Sequence, residues 1–332
     1  MGLILTFLLA IALPPLEAAS AGGGQSRWVL AAIEHHGEVY TLEHVGDSDG
    51  QRVIVRLPEA DVTVRGTEIE AIDQFGISVH DDTLAYFVTL YDPDRRGGAL
   101  LYGTYDLQRE RLVSQFEDRR LHLPSAMLTG NSAIGEGEMY ISSVFPDRNG
   151  QRGFWIQRIR LRDGYLRPTG RWGGAAGFAP GGFAYHDLAG PEAFNVASRD
   201  GQDILSAVPI ADTTGVRGGA YTEGDRFYSV ERHEDSFFVF SRSFASIEHD
   251  RFELRGVPTA IDALSCSGRR LVFISILSSA HGPEVVVLRD DGHRLAVRHR
   301  VEAHFVAPYT DGEGECVVLI NGGDGQPRER RL

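Results

Sequence analysis

A five-residue turn appears twice in the chain, as Pro93-Asp94-Arg95-Arg96-Gly97 and as Pro146-Asp147-Arg148-Asn149-Gly150, each time between two strand-like runs. Leu84 to Tyr91 and Met139 to Phe145 precede the two copies; Ala99 to Tyr102 and Phe154 to Ile156 follow them. The chemistry is that of a hairpin. Aspartate accepts hydrogen bonds from the amides just ahead of it, glycine takes the positive φ of a bulged hairpin, and proline cannot extend a strand ladder. Weaker versions stand at Asp47-Ser48-Asp49-Gly50, His233-Glu234-Asp235, Ala280-His281-Gly282 and Gly323-Asp324-Gly325. With Asp49, Arg95, Arg148, Asp235, His281 and Asp324 as centres, successive intervals are 46, 53, 87, 46 and 43 residues. The interval of 87 holds two periods, so a further hairpin belongs near its middle. Ala189-Gly190-Pro191-Glu192 occupies that place, with Ser198-Arg199-Asp200-Gly201 as the competing choice.

Seven hairpins about 45 residues apart match the repeat of a four-stranded propeller blade. The expected fold is therefore all-β, a propeller of seven four-stranded blades, with six or eight left open. The 39 glycines and 9% aromatic content agree with many short strands joined by tight turns. Between hairpins the pattern holds an exposed strand, as at Phe252-Glu253-Leu254 and Leu295-Ala296-Val297, and then an inner strand rich in small residues, for which Ser142-Ser143 and Ser275-Ile276 are models. Residues 109–121 read as an outer strand plus a turn. Only residues 327–332 follow the last predicted loop apart from Gln326, which leaves the final blade short. The strand around Trp28 to Ile33 is expected to complete that blade and close the ring by pairing both free edges.

The Asp-Arg-x-Gly hairpin between an aromatic-rich strand and a second strand resembles the WD40-like repeat of TolB-type propellers. The usual Ser-Pro-Asp-Gly companion is replaced by Ala179-Pro180-Gly181-Gly182. TolB itself places an α/β domain before its propeller, for which this chain has no room. The resemblance implies a fold and an exported, interaction-prone class of protein; it implies no active site.

Leu3 to Leu13 is an apolar run interrupted by Thr6 and followed by Pro14 and Pro15, and Ala19-Ser20-Ala21 offers small residues for a signal peptidase. Residues 1–21 are expected to be a signal peptide and 22–332 one propeller domain, periplasmic or secreted, with no integral membrane segment after signal removal. The two cysteines, Cys266 and Cys316, suit a disulfide in an oxidising compartment, and suit two buried thiols nearly as well. Net charge is −13 and the chain contains no lysine, so all 33 basic residues are arginines. A surface of that sign repels phosphate backbones, and nucleic acid is not an expected partner.

Several of the twelve histidines have acidic neighbours, as in Glu34-His35-His36, Glu43-His44, His186-Asp187, His233-Glu234-Asp235 and Glu248-His249-Asp250. Adjacent strand residues point to opposite faces, so each reads as an ordinary strand or turn residue. Neither Asp47-Ser48-Asp49-Gly50 nor Asp311-Gly312-Glu313-Gly314-Glu315 completes a calcium loop. There is no Gly-x-Ser-x-Gly elbow, and residues 172–177 read as a glycine-rich loop between blades. No catalytic residue, metal ligand or cofactor is predicted. The turns between second and third strands gather on one face of a propeller, which would place Asp94, Arg95, Asp147, Arg148, His233, Asp235 and His281 in a polar, partner-binding ring. The function expected is a non-catalytic binding or scaffold propeller of the cell envelope, with an envelope protein or a small ligand as partner. The alternative is a lyase or hydrolase acting on a carbohydrate or lactone at the channel mouth, metal-dependent or not.

Overall fold

A computed structural model describes residues 26–332 apart from 48–49, 66–70, 93–96, 119–131, 147–151, 180, 189–192, 211–215, 223–225, 245–248, 279–281 and 322–325. The expected signal peptide and its cleavage site lie outside the described residues. Among the described residues there is no helix, and every sheet is antiparallel. The first sheet is β1 (Ser26–His35), β2 (Glu38–Asp47), β3 (Gly50–Arg56) and β4 (Asp61–Arg65) in sequence order; the second is β5 (Ala71–His80), β6 (Thr83–Asp92), β7 (Gly97–Asp106) and β8 (Arg111–Asp118). β8 is the outer strand expected within residues 109–121.

The third sheet begins with β9 (Ser132–Gly135), β10 (Glu138–Pro146) and β11 (Arg152–Arg160), and continues into β12 (Tyr165–Ala179), a strand of 15 residues shared by two units. The first half of β12 pairs with β11, ending at Trp172 opposite Trp155. Its second half pairs with β13 (Gly182–Asp187), which leads to β14 (Ala193–Ser198) and β15 (Ile204–Pro209), so that the two halves of this continuous seven-stranded sheet count as the third and fourth sheets, joined along β12. Residues 172–177 are thus strand, which corrects the expectation of a loop. Glycine suits this place because Gly173 has φ +152°, and a Cβ there would lie 1.8 Å from the His186 carbonyl oxygen.

Two more four-stranded sheets follow, β16 (Val216–Thr222) to β17 (Arg226–His233), β18 (Ser236–Ser243) and β19 (His249–Leu254), and β20 (Val257–Cys266) to β21 (Arg269–Ser278), β22 (Gly282–Asp290) and β23 (Leu295–Val301). The last sheet has three strands, β24 (Val306–Thr310), β25 (Cys316–Asn321) and β26 (Pro327–Arg331). The predicted hairpins all fall between second and third strands. The connection at 188–192 joins β13 to β14, whereas Ser198 to Gly201 joins a third strand to a fourth. Ser142-Ser143 and Ser275-Ile276 belong to second strands, not to inner ones. The small residues of the inner strands are instead Gly173 to Ala176, Gly218 to Ala220 and Ala260.

Each first strand touches the first strand of its neighbours: β1 meets β5, β5 meets β9, β9 meets β12, β12 meets β16, β16 meets β20, β20 meets β24, and β24 returns to β1. The apolar core follows that circuit. It is divided into seven clusters, such as Leu30, Leu42, Leu84 and Tyr86 between the first two sheets, or Val230, Val239, Ile274 and Val286 between β17–β18 and β21–β22. The stacking of Phe194 on Phe227, 3.8 Å between ring centres, fills one of these interfaces.

The expected closure by strand exchange is corrected. Residues 28–33 lie in β1, where Trp28 faces His44 and Ile33 faces Tyr40, and among the described residues no strand pairs with the outer edge of β24 or β26. The physical reason is local. His36 and Gly37, with φ of 55° and 84°, form a two-residue hairpin that folds β1 directly onto β2. First and last sheets meet through side chains: Val29, Ala32, Ala307, Tyr309 and Val317 pack together. The buried Asn321 amide accepts from the Val29 N–H at 2.7 Å and donates to the Val29 carbonyl at 2.9 Å. A second link joins the sixth sheet to the seventh, where Cys266 and Cys316 are disulfide-bonded with Cα atoms 5.4 Å apart.

Asn321→Leu keeps the branched shape of the side chain and leaves two buried backbone groups unpaired, so urea unfolding should show a loss of about 2–4 kcal/mol. Gly173→Ala should cost about 2 kcal/mol or more, against about 1 for Gly137→Ala, where φ is also positive but an added Cβ meets nothing within 4 Å. Equal losses for the two glycines would show that contact with the His186 carbonyl does not matter.

Candidate functional site

Five first strands carry an extra residue at a similar place, breaking register between Val29 and Ala31, Ile72 and Gln74, Ala175 and Gly177, Val216 and Gly218, and Pro258 and Ala260. A bulge re-aims the side chains beside it. Here bulged or adjacent residues line a cavity of about 180 Å³ where β1, β5, β12, β16, β20 and β24 converge. Its wall is largely apolar, with Leu30, Phe75, Ile261, Phe273 and Phe305, and its polar groups come from Gln74, Ser275 and Asp262.

Among the described residues Asp262 supplies the cavity's one carboxyl group. The side chain is open to the cavity, yet protein closes around it, and this confinement pushes the pKa up to about 6; a 2.7 Å hydrogen bond accepted from the Ala263 N–H opposes the shift. Gln74 is anchored at its backbone, its N–H donating to Thr89 Oγ1 at 2.8 Å, while its side-chain oxygen is buried without a partner. No residue pattern in the sequence marks this site. A bulge has no residue signature when its extra position is filled by Leu30 or Ala176, and Asp262 sits in an unremarkable strand.

Of the residues expected to form the partner-binding ring, Asp94, Arg95, Asp147, Arg148 and His281 lie outside the described residues. The two that remain do different things. His233 packs on Phe238 and Phe240, with ring centres 5.7 and 5.2 Å away, and its Nε2 is 3.6 Å from Glu231, whose carboxylate is held by Arg242 and Ser229. Asp235 is fully exposed, with Arg232 3.7 Å from it. His44 is also buried rather than solvated, and desolvation lowers its pKa to about 4.

No protein-family model matches the sequence, and no curated protein matches it. Among solved structures the chain is similar to an oligogalacturonate lyase in complex with manganese, at 13% identity and a TM-score of 0.55, covering 92% of this chain and 89% of the lyase. It is also similar to TolB from Acinetobacter baumannii (14% identity, TM-score 0.38, 82% of this chain and 65% of TolB) and to the β-propeller domain of the Trilobed protease from Pyrococcus furiosus (9%, 0.40, 82% and 97%). The fold is of the β-propeller type. At such low identity the likeness to the lyase concerns architecture alone, and no sequence match accompanies the resemblance to TolB-type repeats.

Raising the pKa of an acid in the folded state means that the native protein binds more protons than the unfolded chain between about pH 4 and pH 6. Stability should therefore fall as pH rises through that window. Asp262→Asn removes this contribution, so the stability difference between variant and wild type, measured by urea unfolding across pH 4–7, should shift in favour of the variant with rising pH. A difference independent of pH would place Asp262 in an ordinary solvated setting.

Proposed function

We propose that this protein is an exported, closed seven-bladed propeller that binds a partner in its axial cavity without transforming it. The circuit of inner-strand contacts, with β24 returning to β1, supports seven blades and closure by packing. The apolar leader at Leu3 to Leu13 and the Cys266–Cys316 disulfide support export to an oxidising compartment.

The observation that carries the binding reading is the cavity itself: three phenylalanines face a single carboxyl group in about 180 Å³. Small-molecule pockets usually span roughly 300–1,000 Å³. This one suits a single side chain or small head group, with an apolar stem against Phe75 and Phe305 and a cationic end near Asp262. A basic side chain of an envelope protein, inserted from one mouth, has that chemistry.

A second reading, an enzyme acting in the cavity, draws on the Asp262 pKa near 6, which suits a general acid or base at neutral pH.

Ala260→Phe fills the cavity from β20 and Asp262→Asn removes its charge. Both variants should lose a partner captured from envelope extracts by wild type, while each still melts cooperatively with an intact disulfide. Undiminished capture by both variants would remove the cavity from the binding surface. Turnover of a bound compound by wild type but not by Asp262→Asn would establish the enzyme instead.

A further inference from the structure

The turns joining first to second strands form a face separate from the second-to-third turns, and there β1 and β5 end side by side. The β1–β2 turn carries His35 and His36; the β5–β6 turn carries Asp81 and Asp82, with φ of 47° and 56°. In an extended strand His35 and His36 would diverge. At the turn they do not, because His36 has φ 55°, and the two imidazoles lie 3.9 Å apart between centres. Both converge on one carboxylate from the neighbouring sheet: His35 Nε2 is 2.8 Å and His36 Nε2 3.4 Å from Asp82 Oδ1. One ligand atom from each of the three residues lies within 4.8 Å of the other two.

An imidazole–carboxylate hydrogen bond accounts for His35 and Asp82. It does not account for the second imidazole on the same oxygen. Two imidazoles and a carboxylate are the donor set of a borderline cation; Ca²⁺ and Mg²⁺ prefer oxygen ligands. Ligands bound at about 2.05 Å to a tetrahedral ion lie roughly 3.3 Å from one another. The His36–Asp82 separation of 3.4 Å already matches that figure, and His35 has to withdraw by about half an ångström from its 2.8 Å contact. The three side chains range from a quarter exposed at His35 to more than three-quarters at His36, so the cluster is reached from solvent.

We propose that His35, His36 and Asp82 form a site for a divalent transition metal of the zinc class, clamping the first two sheets together and leaving a coordination position open to solvent. Strand alternation, by which the side chains of neighbouring residues diverge, does not hold at a turn. With three protein ligands, the fourth position takes water or a donor atom from a docked molecule.

The test is calorimetric titration of ZnCl2 into tag-free, chelator-treated full chain. One equivalent should bind, with no competition from MgCl2. His36→Gln, His35→Gln and Asp82→Asn should each weaken binding at least tenfold, and the His36→Gln/Asp82→Asn pair should abolish it, while metal-free melting temperature stays near wild type. Zinc should raise the melting temperature of wild type only. Should a variant fail to fold, Co²⁺ titrated into wild type gives an independent reading: a visible spectrum that grows in with one equivalent and is removed by zinc supports the site. A spectrum unchanged from aqueous Co²⁺, absent zinc binding by wild type, or undiminished binding by a folded double variant overturns it.

Discussion

A four-stranded antiparallel sheet of this size cannot bury its own faces, and the whole molecule follows from the need to cover both of them. Each apolar cluster belongs to two sheets, and none belongs to one. Such a scheme has a weak point wherever the series ends. Here the terminal sheet has three strands, and its contact with the first includes five buried apolar side chains, the half-buried Leu319 and the Asn321 amide, which serves the Val29 backbone as a neighbouring strand would. The disulfide anchors that same sheet to the sixth, across 50 residues of chain. The amide link thus sits at the smallest of the described apolar clusters, and the disulfide lies inside the cluster that joins the last sheet to its neighbour.

Buried charge follows the same logic. Glu43 is fully buried in the first sheet and meets Arg27 at 2.5 Å and Arg56 at 3.1 Å; Glu231 is held by both terminal nitrogens of Arg242; Asp290 accepts from Tyr228 at 2.8 Å and Ser241 at 2.7 Å, across the fifth and sixth sheets. Removing one partner strands a buried charge, which is far costlier than the pair is stabilising. These contacts therefore define which strands can sit together more than they raise stability. The planar arginine fork suits Glu43 and Glu231, whose cationic partners Arg27, Arg56 and Arg242 are arginines in a chain without lysine.

The hairpin period was legible because Asp, Gly and Pro have specific roles in turns, and those roles repeat wherever a second strand meets a third. Even so, spacing did not carry register. Aligning the two Asp-Arg turns equates Tyr102 with Trp155, yet Tyr102 faces Phe87 while Trp155 faces Ser143, three places beyond the residue equivalent to Phe87. Closure was misread because an exposed edge at the C-terminal end says nothing about whether an inner strand already has a partner. Bulges were invisible for a related reason: one extra residue in a strand of ten leaves the alternation of apolar side chains nearly intact on either side. The candidate site depends on those bulges, and so it emerged only with the strands in place.

The cavity and the histidine cluster occupy different levels of the same strands. Leu30 at the cavity and His35 at the turn are five residues apart on β1, which at about 3.3 Å per residue separates them by roughly 17 Å. At a Debye length of about 8 Å in physiological salt, a cation held at the turn is largely screened from the Asp262 carboxyl. A side chain seated against Phe305 and Asp262 does not reach the turn, and an ion at the turn does not fill the cavity. What couples them is mechanical: β1 and β5 both line the cavity and both end in the turns that carry the metal ligands. Clamping those turns ties together the two neighbouring strands that supply Leu30 and Phe75 to the cavity wall, so an ion at the turn acts on the cavity through the backbone that carries its lining.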